Sequence, residues 1–182
     1  MSQFATTDPS IAYYAHRLHA PAPKGHLFAS VCWLVVRHPV LHQLAARIPG
    51  AVDTDGDVLP WILADALADL DTHLGAWAEY TRTHRAPQVR NEADERRYDT
   101  WVDNGPRPSE RVKALGVMSR TEISRLRLLA AFSDDKPVTF AVGMLWGFDP
   151  AGEALVRDWM TAIQAYRGDT TPIPAPNATG ND

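Results

Sequence analysis

Five of the seven histidines stand in the first quarter of the chain: His16, His19, His26, His38 and His42. A neutral imidazole ligates zinc and moves protons near neutral pH, so their spacing decides what they could do. His38 and His42 are i, i+4, the separation at which two imidazoles on one helix face share a metal. Pro39 interrupts that face, and no glutamate follows His38, so the His-Glu-x-x-His pattern of zinc proteases is not written. Asp53, Asp55 and Asp57 fall at the first three ligand positions of a calcium loop. Val58 and Ala64 then occupy the places of its glycine and its bidentate glutamate. The plainer expectation is that Asp57 or a neighbour caps the helix that follows. Asp65, Asp69 and His73 run at i, i+4 and i+8, with Asp69 expected to hold His73 one turn on. The single cysteine, Cys32, excludes an intrachain disulfide and reads as a small core residue. No Gly-x-Ser-x-Gly elbow, phosphate loop or dinucleotide fingerprint is present. The sequence therefore nominates no catalytic residue, no metal ligand set and no cofactor.

Charge is more informative. The chain carries −4 overall, from 18 Lys+Arg against 22 Asp+Glu. Residues 107–127 hold Arg107, Arg111, Lys113, Arg120, Arg125 and Arg127 against only Glu110 and Glu122, a basic island in an acidic protein. Such an island is a candidate footprint for a polyanion. Its wording, Ala114-Leu115-Gly116-Val117, then Ser119 to Leu126, resembles the helix-turn-helix of bacterial regulators, over about 20 residues. Met118 adds one residue to the turn, and Val112 stands where that motif has a small residue. The resemblance implies a second helix lying in the major groove, with Ser119, Arg120, Ser124 and Arg127 facing DNA. The competing expectation is an amphipathic helix pair that packs Ile123, Leu126, Leu129 and Phe132 inward and leaves its arginines in water.

Six tryptophans are many for 182 residues. Trp101 lies in a charged segment, away from the strongest apolar periodicity. With Tyr98, Arg96 and Arg97 it has the composition of a protein-interaction hot spot. The alternative role for Trp101 is to anchor a surface helix onto the domain.

The elements that must position these groups follow from proline, glycine and periodicity. Helices are expected at 8–19, 39–48, 59–83, 91–102, 109–115 and 119–132, with a last one from Asp149-Pro150 to Gly168. In 59–83, Leu59, Ile62, Leu63, Leu67, Leu70, Leu74 and Trp77 share one arc, with Asp65, Asp69 and Glu79 opposite. Ser119 and Glu122 form a capping-box pair. Apolar and β-branched runs make 138–146, and with less force 31–36, the strand candidates. With 45% apolar and 22% charged residues the chain is expected to fold as one domain over 1–169. Residues 170–182 read as a flexible polar tail. The fold class expected is mainly α with one or two short strands. No secretory signal opens the sequence, and the longest apolar-leaning run, 26–36, is about half of a membrane span. A cytoplasmic, non-catalytic accessory protein working through a protein partner is the leading expectation. A DNA-binding regulator is second, and an enzyme without a recognisable motif third.

Overall fold

A computed structural model describes residues 27–133 and 150–166. Seven helices follow in order: α1 (Leu27–Arg37), α2 (Val40–Ala45), α3 (Pro60–Thr83), α4 (Glu92–Asp103), α5 (Glu110–Gly116), α6 (Arg120–Ala130) and α7 (Pro150–Tyr166). The fold is mainly α, and no sheet forms among the described residues. The expected helix at 8–19, strand at 138–146 and tail at 170–182 lie outside those residues.

The strand expected at 31–36 is corrected to helix, as the middle of α1. Val31, Cys32, Trp33, Leu34 and Val35 are all buried. Five consecutive residues at about 100° each go right round a helix, so α1 is enclosed on every side. A fully enclosed helix leaves no polar face in the sequence, and its apolar run is indistinguishable from that of a buried strand.

Pro39 separates α1 from α2, which buries Leu41, Leu44 and Ala45. The loop before α3 is closed by its own groups rather than serving as a cap. Asp53 Oδ1 accepts from the backbone N–H of Asp55 at 3.0 Å and of Asp57 at 2.9 Å, and Val52 forms an isolated antiparallel bridge with Val58. Leu59, not Asp57, is the N-cap of α3, and it makes no side-chain cap bond. Pro60 in the first turn lacks an N–H, so one fewer donor needs a partner there.

Helix α3 buries Leu63, Ala64, Ala66, Leu67 and Leu70. Against it pack α5 and α6; α6 also meets α2, and α7 lies on α1. The α6 start carries the expected capping box: Ser119 N donates to Glu122 Oε2 at 2.7 Å, and Glu122 N to Ser119 Oγ at 3.2 Å. These bonds, the backbone one first, hold the Glu122 carboxyl below its ordinary value near 4.5, with Arg47 adding to the effect. Its support for α6 is therefore complete above that value and is lost as pH falls through the lowered one. Helix α7 is pinned by Asp158, which accepts from Arg37 Nε at 2.8 Å and shares a hydrogen bond with His38 Nε2 at 2.8 Å. Trp159 Nε1 ties the same helix to Leu128 O at 2.8 Å.

Candidate functional site: the α3–α4 arm

Helix α3 is 24 residues long, yet its last buried residue is Leu70. The remaining turns leave the core and form an arm with α4, which has no buried residue at all. Ring contacts hold the arm together. Trp101 lies 5.7 Å from Trp77, 5.3 Å from Tyr80 and 5.7 Å from Tyr98, measured between ring centroids. Tyr80 stacks on His84 at 4.5 Å. Two hydrogen bonds fix the register: Trp101 Nε1 donates to His84 O at 3.0 Å, and Tyr80 Oη donates to Trp101 O at 2.9 Å. Asn91 accepts from Asp94 N and caps α4. At the root, Gly105 lies so close to the Trp77 ring that a Cβ there would clash with it. The aromatic pairs of Trp101 therefore serve as the anchor that fastens α4 to α3.

Trp101 near the end of α4 thus meets Trp77, Tyr80 and His84, and Gly105, just beyond α4, meets Trp77. Tyr98 and Val102 are i, i+4 and share one face of α4, while Leu74 stands on α3 one turn beyond Leu70. These three side chains are exposed, Leu74 at 56% and the other two at 39%. The sequence arc had placed Leu74 in the core. It continues the core face of α3, but the core has ended one turn earlier. Along the outer edge of α4 run Glu92, Glu95, Asp99 and Asp103, all exposed. Like charges three and four residues apart cost a helix about 0.2–0.5 kcal/mol per pair.

The four residues expected to form an interaction surface are thus only partly united. Tyr98 and Trp101 touch. Arg96 points about 160° away from Tyr98 around α4, and Arg97 pairs with Asp94 at 3.5 Å. Leu74, Val102 and the acidic edge were missed. Their signal was the isolation of Tyr98 and Val102 in a helix that is otherwise polar.

On the other side of α3, an open groove of about 370 Å³ is lined by Asp69, Thr72, His73 and Ala76, and by Pro106, Arg107, Ser109 and Val112. His73 meets Trp77 edge-on, and the expected hydrogen bond from His73 to Asp69 is not formed. Ser109 Oγ is engaged in capping α5. His38 and His42 do not converge, because His42 Nε2 shares a hydrogen bond with Gly56 O at 3.1 Å, away from Asp158. Among the described residues, no three His, Cys, Asp or Glu side chains are grouped to hold a metal ion.

Of the four residues expected to face DNA, two are exposed and two are buried. Ser119 and Arg120 are exposed, but Ser124 is buried with its hydroxyl donating to Arg120 O at 2.9 Å. Arg127 is also buried, and its Nη2 donates to Asp71 Oδ1 at 2.9 Å. The reason lies in α6 itself: Leu126, Arg127, Leu128, Leu129 and Ala130 are all buried, so that end of the helix has no free face. The basic island is divided as well. Arg111 Nε donates to Pro49 O, and Lys113 pairs with Glu110.

The chain matches no family model, no curated protein and no solved structure. No helix among the described residues is long and apolar enough to cross a membrane.

Proposed function

We propose that this chain is a non-catalytic cytoplasmic accessory or regulatory protein that acts by protein–protein contact, with the α3–α4 arm as its contact element. The observation that carries the reading is the arm's construction. Two helices continue with no buried residue beyond Leu70, are stiffened by a ring cluster, and leave Leu74, Tyr98 and Val102 exposed. A preorganised helical surface with exposed apolar side chains loses little entropy on binding, which is what a docking element needs. The burial of Ser124 and Arg127 weighs against duplex DNA as the partner, since α6 would have to leave the core to present them.

The test is a photo-crosslinking amino acid placed at Val102, with a control at the exposed Arg157 of α7. Irradiated cells should yield a discrete adduct from Val102 that Leu74→Asp removes, and none from position 157. Adducts of equal yield from both positions, or none from Val102, would overturn the arm as contact element.

A further inference from the structure

The arm's outer edge and the α5–α6 turn are opposite in charge and alike in what they lack. Glu92, Glu95, Asp99 and Asp103 line one edge of α4, and no ion pair neutralises any of them among the described residues. Arg96 stands beside them without closing such a pair. Asp99 and Asp103 also sit in the C-terminal half of α4, where the helix dipole disfavours an anion, and that last turn contains no basic residue. Next to this edge lie the exposed Tyr98 and Val102.

The α5–α6 turn presents the converse. Val117 is 75% exposed, more than any other large apolar side chain among the described residues. Arg120, three residues on, is exposed with no ion pair among the described residues, and Lys113 has only the surface i, i+3 pair with Glu110. Pairs of that kind contribute little and exchange readily. No ion pair joins α4 to α5 or α6 within one chain.

We infer that the arm's occupant is a second copy of this chain, whose α5–α6 turn docks head-to-tail on the acidic edge of α4. Val117 then packs against Tyr98 and Val102, and Arg120 and Lys113 face Glu95 and Asp99. This rests on the reading of the arm as a contact element and names its partner. Each copy offers one arm and one turn, so two copies that exchange both contacts close as a twofold pair, and copies that share only one run on into rings or open chains. One helix face against one turn is smaller than a standard interface, so the association is weak and steered by charge.

Sedimentation velocity of the full chain, from micromolar to millimolar, tests this. The average mass should rise with concentration, and added salt should suppress the rise by screening the charges. Glu95→Lys/Asp99→Lys and, separately, Lys113→Glu/Arg120→Glu should each weaken self-association at least about tenfold, which corresponds to about 1.4 kcal/mol. Circular dichroism checks that both variants remain folded. Mixed together, the two should associate again, because the intact arm of one meets the intact turn of the other. A wild-type chain that stays monomeric throughout, association indifferent to salt, or a mixture that stays monomeric would each overturn the second copy as occupant. The arm reading fails separately. A Val102 adduct with a different protein, alongside a monomeric purified chain, removes only the second copy, whereas no adduct at all removes the arm.

Discussion

The core and the arm of this protein are built from the same long helix but held by different forces. Up to Leu70, α3 is gripped by α5 and α6 through side chains such as Leu63, Leu126 and Leu129, at 1% exposure or less. Each such side chain contributes roughly 1.5–3 kcal/mol by leaving water. Beyond Leu70, the same helix and α4 are joined by ring edges, two hydrogen bonds and a cap, with no fully buried side chain. An aromatic pair adds only about 0.5–1.5 kcal/mol beyond its area. The arm is therefore a unit that opens at a lower free energy than the core, a division of stability common where a protein must meet something else.

Mutations can break or sharpen that division. The largest effect is expected in the core: Leu126→Ala should cost about 2–5 kcal/mol in a denaturant melt. At the junction, Asp71→Ala strands the buried Arg127, whose Nε already has no partner. A loss of about 1–3 kcal/mol is expected there, reduced from a fully buried pair because Asp71 is half exposed. Replacing both, Asp71→Ala with Arg127→Met, should recover most of it. Gly105→Ala drives a methyl into the Trp77 ring and should cost about 1–3 kcal/mol where α4 is anchored. Hydrogen exchange should show that loss as lowered protection of α4 with α6 unchanged. Trp101→Ala removes the anchor and should abolish α4 protection while shifting the global melt by less than about 1 kcal/mol. A Trp101 variant that melts as early as Leu126→Ala would erase the distinction between the two regions. The smallest effect belongs to Leu74→Ser, within about 0.5 kcal/mol, because its side chain is already in water.

Periodicity in the sequence located α3 almost to its ends, and the Ser119–Glu122 capping box, because both depend on residues close along the chain. Periodicity could not say where the partners of α3 stop. Leu74 satisfies the same arc as Leu67 and Leu70, but the helices that bury those two do not reach it. For α1 the failure runs the other way. Val31 to Val35 are enclosed by elements distant in sequence, and enclosure erases the polar face that would mark a helix. Ser124 and Arg127 were placed on a DNA-facing side by the general form of a helix-turn-helix, and what decided against it was Asp71, 56 residues away along the chain. At the site, Trp101 was legible as an anchor candidate. How α4 is fastened to α3 depends on contacts of Trp101 with Tyr80 and His84, 21 and 17 residues earlier in the chain, which no local signal encodes.

The unbroken run of α3 through both regions gives the arm a mechanical character. Twenty-four residues make a rod of about 36 Å, of which roughly 20 Å lies beyond Leu70. Asp71 sits where the rod leaves its support, tied by its carboxylate to Arg127 in the last turn of α6. A load at the tip is therefore felt first as torque on that one tether, and the fulcrum lies within the packing of α3 against α6. Displacing the tip by a few ångströms levers on the helix that holds the core together. A force on the α3 tip would thus reach α6 through a single stiff beam.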